Sequence, residues 1–108
     1  MSDDNFFNSS INGANGFASS LIDTSGVLPA GTSLGSAPTV AVVATLPPAT
    51  IGAGVVVNLV VDDITAGLTV VVDATVPDTV NGGAGPVLGA VRLYTFVSDG
   101  VSNWVYTA

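Results

Sequence analysis

Glu, Lys and Gln are absent from all 108 positions of this chain. Those residues normally cover the exposed faces of helices, where their unbranched side chains keep rotamer freedom. The sequence therefore has nothing with which to solvate a long surface helix. Val, Thr, Ala and Gly fill it instead, and the expectation is an all-β fold. A chain of this length has room for one domain, which buries roughly two thirds of its unfolded surface and has a modest core.

Hydrophobic residues make up 48% of the chain and charged residues only 8%, against about a quarter charged in an ordinary soluble domain. A membrane span does not account for the excess. Runs such as Val55–Val57 and Leu59–Val61 are broken within a few residues by Asn, Asp, Thr or Gly, far short of the about 18 apolar residues that cross a bilayer. The N-terminal "MSDDNFF" is acidic and lacks the basic residue and apolar run of a secretory signal, so synthesis in the cytoplasm is expected. The remaining place to bury so much apolar surface is another protein chain, and oligomerisation is the default expectation.

Every acid is an Asp, at positions 3, 4, 23, 62, 63, 73, 78 and 99, and the only base is Arg92, for a net charge of −7. Nucleic-acid backbones are held by clusters of Lys and Arg, so neither nucleic acid nor membrane is expected as a partner. There is no Cys, His, Lys or Glu. Disulfides, Cys-based zinc sites and most general bases and activated nucleophiles are thereby excluded, and no enzymatic activity and no cofactor are expected. Asp62, Asp63, Asp73 and Asp78 remain on paper as an acid pair or Ca²⁺ ligands, but no D-x-[DN]-x-[DN]-G loop is present. Asp at strand ends more commonly caps turns. "VNGGAGP" at 80–86 lacks the Lys-Ser/Thr of a phosphate loop and reads as a tight turn.

The sequence changes character near Pro38. Residues 1–37 are rich in Ser, Asn and Gly with isolated apolar residues, and neither a 3.6 nor a 2 period holds. An extended N-terminal arm is expected there, with a short helical turn at Phe17–Ile22, since such a segment buries too little to fold alone. Residues 38–108 carry recurrent strand signals at Thr39–Leu46, Val55–Val61, Gly67–Asp73, Val87–Val97 and Asn103–Thr107, with turn-rich connectors between them. Pro86 suits a strand start and Gly89 a bulge or kink. The expected architecture is a small antiparallel β-sandwich or barrel. "VVVNLVV" is apolar on both faces apart from Asn58, and a strand of that kind is covered on both sides, the second cover being most simply a neighbouring subunit.

Candidate binding residues follow from this layout. The aromatic and aliphatic residues of the arm, Phe6, Phe7, Ile11, Phe17, Leu21 and Ile22, have no core of their own and are candidates to anchor it on a partner. Val57, Leu59, Val70 and Val72 supply core or subunit packing. Arg92, a lone cation among acids, is expected to pair with an Asp of the next strand or subunit. "SDGVSNWVYTA" closes the chain as a hairpin turning at Asp99-Gly100, with Tyr94, Trp104 and Tyr106 near one another. Packed, those rings close the sheet; exposed, they suit carbohydrate stacking.

The ordered pieces Leu46-Pro47-Pro48-Ala49, Val55–Val61, Leu68–Val72, Asp78-Thr79-Val80-Asn81-Gly82 and Ser98-Asp99-Gly100 with Trp104 resemble a β-rich module of bacteriophage virion proteins. The match spans about the last sixty residues. The resemblance implies a non-enzymatic structural protein of a kind found in tail fibres, head fibres and capsid decoration proteins, commonly as trimers. The N-terminal arm and the lack of a repetitive shaft are similar to small decoration, or cement, proteins. The expectation is a homotrimer on the capsid surface of the virion, bound to the major capsid protein and stabilising the shell. The alternative expectation is a fibre or spike tip recognising a host glycan through Tyr94, Trp104 and Tyr106.

Overall fold

The computed structural model describes residues 19–72 and 77–107. Ten strands occur among them: β1 (Ser19–Ile22), β2 (Gly26–Val27), β3 (Gly31–Ser36), β4 (Val42–Leu46), β5 (Ala53–Asp63), β6 (Leu68–Val72), β7 (Thr79–Val80), β8 (Val87–Leu88), β9 (Leu93–Asp99) and β10 (Asn103–Thr107). A 3-10 turn at Ala49–Ile51 links β4 to β5. The all-β expectation holds. The strands form two sheets, six-stranded in the order β1-β3-β5-β9-β10-β7 and four-stranded in the order β2-β4-β6-β8.

From β1 to β8 successive strands alternate between the two sheets. This winding corrects the antiparallel expectation. When the next strand always lies in the other sheet, the strand after it returns running the same way, and the intervening strand serves as the crossover that parallel pairing requires. The β1/β3, β3/β5, β2/β4 and β4/β6 pairs are accordingly parallel; β7/β10 is parallel too, but joins strands three apart in the chain and lies outside that winding. Gly31 pairs with Val57 in one sheet and Val42 with Leu68 in the other, the same step along the chain in both. Among the described strands, antiparallel pairing is confined to β5/β9, β9/β10 and β6/β8. The hairpin expected at Asp99-Gly100 is β9/β10, with Gly100 at φ 81°, a left-handed conformation natural to glycine.

The expected strand at Val87–Val97 is two strands. β8 lies in the smaller sheet and β9 in the larger, and Gly89–Arg92 carries the chain across. The arm boundary at residue 37 is corrected as well. Residues 19–36 build β1, β2 and β3, Ser19–Ile22 is a strand rather than a helical turn, and Leu28 and Ala37 are buried. Side chains from both sheets meet in one apolar cluster, with Val57, Leu59, Phe96 and Trp104 from the larger sheet and Val42, Leu46, Leu68 and Val70 from the smaller. Residues 1–18, including Phe6, Phe7, Ile11 and Phe17, lie outside the described residues.

The inner face explains why no period was visible before Pro38. On β3 the core-facing positions are Ser33 and Gly35. A Cβ on Gly35 would sit 3.0 Å from Leu59 Cδ1 and 3.1 Å from Leu68 Cδ2, tight enough that the leucines would have to shift to admit it. Long side chains of β5 and β6 fill the space above β3, so its own inner positions have to be small.

Candidate functional site

The motif pieces that stand far apart in the sequence converge at the closing end of the fold. Leu46 is buried and Pro47 turns its carbonyl toward Trp104, whose indole Nε1–H donates to it at 3.0 Å. Trp104 is 0% exposed. The next turn residue, Ala49, is held from two sides: its N–H donates to Asp78 Oδ2 at 2.7 Å, and its carbonyl accepts the Ser98 hydroxyl at 2.5 Å. Ser98 Oγ in turn accepts Gly100 N–H at 2.9 Å. The two prolines fit because a residue without an N–H leaves no donor to satisfy in this buried turn.

Asn81 extends the ladder where the main chain leaves it. β7 pairs with β10 through Thr79 and Val80, then turns at Asn81, which has φ 51°, a conformation that Asn adopts more readily than most residues. Its side-chain amide then substitutes for a strand residue, donating from Nδ2 to the Tyr106 carbonyl and accepting Tyr106 N–H, both at 3.0 Å. Asn103 Oδ1 receives the Thr79 hydroxyl at 2.7 Å and Gly82 N–H at 3.0 Å. Asp99 Oδ1 accepts the N–H groups of Val101, Ser102 and Asn103 at 2.8, 3.0 and 3.0 Å. Those donors, Val101 foremost, hold the Asp99 carboxyl below its ordinary pKa.

In this cluster every named polar side chain except Asp99, which caps its own turn, joins one stretch of chain to another. Asp78 and Asn81 sit in turns as their sequence suggests, but nothing in the sequence marked Asp78, Asn81, Ser98 and Asn103 as bonding to distant stretches of chain. The remaining described acids behave similarly. Asp23 accepts Thr39 N–H and Val40 N–H at 3.1 Å each and the Thr39 hydroxyl at 2.6 Å, and the Thr39 hydroxyl is the main cause of its lowered pKa. Asp63 is lowered by Thr65, whose N–H it accepts at 2.8 Å. Asp62 is exposed, and Asp73 lies outside the described residues. Among the described residues no three metal-ligating side chains gather, and no helix is long and apolar enough to cross a membrane.

The candidate binding residues divide sharply. Leu21 is 6% exposed and belongs to the core, so it is not free to dock on a partner, whereas Ile22 beside it points outward. Val57, Leu59 and Val70 are fully buried inside the chain's own core and Val72 packs against it, so of the two packing roles expected for them it is the core that they fill. The aromatic platform is also corrected. Alternation along β9 and β10 turns Tyr94, Phe96 and Trp104 inward. The Tyr94 hydroxyl donates to the Ala90 carbonyl at 2.8 Å and accepts its N–H at 3.2 Å. Tyr106 is half-buried, its ring 5.1 Å from that of Phe96. Tyr94 and Trp104 present no ring face to a sugar. Arg92 is exposed and makes no ion pair among the described residues; its guanidinium lies 5.7 Å from the centroid of the Tyr94 ring.

What the outer surfaces offer is aliphatic. On the larger sheet Val56, Val97 and Val105 stand side by side across β5, β9 and β10. Leu34, Val60 and Leu93 form a second row across β3, β5 and β9. Between them runs a polar row, Thr32, Asn58 and Thr95, in which Asn58 Nδ2 donates to Thr32 Oγ1 at 3.5 Å and Thr95 Oγ1 donates to Asn58 Oδ1 at 2.9 Å. The smaller sheet carries Val27, Thr45 and Val71 in one row and Val43, Thr69 and Val87 in another. None of these outward positions is ionisable. Comparison with known protein families, curated proteins and solved structures finds no match for the chain.

Proposed function

We propose that this chain is a structural virion protein, a bacteriophage capsid decoration protein that binds and stabilises the assembled shell as a homotrimer, its two sheets packed as a sandwich. The observation that carries the reading is the convergence of the motif residues. The three turn pieces among those that resemble the phage module, Leu46–Ala49, Asp78–Gly82 and Ser98–Gly100 with Trp104, meet in a single hydrogen-bonded closure, and their polar groups are used to hold the fold. Such a module contributes shape and surface to an assembly, and its outer faces are uncharged rows of Val, Leu and Thr.

The mechanism is mass action. A protein that binds only the assembled, expanded shell stabilises that state over its alternatives, and three linked copies multiply a weak contact by avidity. Phe6, Phe7, Ile11 and Phe17 supply the docking segment on the major capsid protein, with Ile22 continuing it onto the folded domain. The test is co-sedimentation of the full chain with shells stripped of the protein, beside a variant carrying Phe6→Ala and Phe7→Ala. Binding that the double substitution abolishes supports the reading. A full-length chain that stays in the supernatant overturns it and redirects attention to a fibre position.

A further inference from the structure

We infer that copies of this chain associate through the outer face of the six-stranded sheet, with Arg92 at its rim reaching a carboxylate of the neighbouring copy. The inference rests on the homotrimer in the proposed function and names the surface that makes it.

The argument begins with charge. The chain carries −7, so a second copy is repelled from any surface on which carboxylates collect. The described acids sit in turns and at strand ends, at positions 23, 62, 63, 78 and 99, and the two aliphatic rows of the larger sheet have none among them. A basic partner would be drawn to those turns and would gain nothing electrostatic from this face. Over those rows a copy of the same acidic chain meets little repulsion, the outward acids Asp62 and Asp99 standing beyond them at the strand ends.

Desolvation points the same way. Leu93 is 54% exposed and Val105 50% exposed, and covering them removes aliphatic area from water at little cost. The polar row between the aliphatic rows already satisfies itself through Thr32, Asn58 and Thr95, so burying it strands few donors or acceptors. Arg92 precedes Leu93 at the corner where β9 starts beside the end of β5, and Asp62, exposed, lies at that same end. Without a carboxylate partner among the described residues, Arg92 is available to a neighbour, and a symmetric contact brings an acid of one copy toward the base of the next. The smaller sheet has a comparable face, but its edge strands β2 and β8 are two residues each and no cation stands at its rim, which makes it the natural control.

The experiment measures solution mass by sedimentation for the full chain and for Leu93→Asp, Val105→Asp and Val87→Asp. Val87, 74% exposed, is on the smaller sheet. The expected result is a threefold drop in mass for Leu93→Asp and Val105→Asp with unchanged circular dichroism, and an assembled Val87→Asp. Because the chain has no Cys, a pyrene on Val105→Cys provides a readout that does not depend on disrupting anything: excimer emission between copies is expected there and absent from Val87→Cys. A monomeric parent chain, or assembly that survives both charged substitutions and yields no excimer at 105, overturns the inference. Shell co-sedimentation of the same proteins separates the two ideas. Trimers that dissociate as expected yet ignore the shell leave this surface standing and remove the decoration role. Shell binding by a chain whose mass none of the substitutions changes does the reverse.

Discussion

β1 to β3 and β7 to β10 are held by different chemistry. The opening strands are joined by parallel main-chain ladders and by a few buried aliphatic groups, Leu21 and Leu28 above all, and their inner face otherwise presents Ser33 and Gly35. The closing strands depend on particular side chains, with Asp78, Asn81, Ser98, Asn103 and Trp104 each bonded to a named backbone group or neighbour. Packing tolerates many sequences of suitable size, whereas a side chain bonded to one carbonyl tolerates few. The closing end thus depends on the identity of single residues, and the opening end on their size.

The largest test of that contrast is Trp104→Ala. It empties a fully buried site and leaves the Pro47 carbonyl without its donor, a loss of about 3–5 kcal/mol, which is comparable to the whole stability of many small domains. Urea denaturation followed by circular dichroism should show the chain largely unfolded. Leu21→Ala probes the other region. As a core residue of β1 it should cost about 2–5 kcal/mol, whereas an arm lying free of the domain would give no change in the denaturation midpoint. Asp78→Ala strips the acceptor from Ala49 N–H and should cost about 1–3 kcal/mol, with amide exchange at Ala49 accelerated relative to β3.

Acid gives a weaker and more distributed effect. The carboxyls of Asp23, Asp63 and Asp99 have folded pKa values below their ordinary ones, so the unfolded chain binds protons first as pH falls. Their contribution is complete above the ordinary carboxylate range, and it is lost as pH drops through the folded values. Thermal midpoints should therefore be level from about pH 7 to about pH 5 and decline below about pH 4. Asp99→Asn should flatten part of that decline. Ser33→Ala is the smallest change. The Ser33 hydroxyl is buried with no hydrogen-bond partner among the described residues, and replacing it should leave stability unchanged or raise it by up to about 1 kcal/mol. A clear loss would mean that the hydroxyl has a partner and that β3 relies on polar bonds as the closing end does.

How much of this was legible follows the same division. The absence of Glu, Lys and Gln pointed to an all-β chain, and Asp99-Gly100 and Trp104 marked the final hairpin because turn chemistry and large aromatic residues leave local signals. β1 to β3 left none. The inward positions of β3 are small beneath Leu59 and Leu68, and β1 and β2 are too short to display alternation, Leu21 being the one buried residue of β1. Burial of Tyr94 and Trp104 depended on the pairing register of β9 and β10, a relation between strands that a linear sequence does not display. Parallel pairing was hidden for a related reason, because short turn-rich connectors look alike whether they fold a chain back on its neighbour or pass it to the opposite sheet.

The alternation of strands between sheets also sets an order of disassembly. Residues 19–27 form the rim of both sheets at once, β1 on one and β2 on the other. A protease that trims this stretch therefore shortens the two sheets together, and β3 and β4 become the new margins with their inward pairings to β5 and β6 intact. Because that stretch also carries Leu21 into the core, erosion from that side weakens both sheets together rather than loosening one of them.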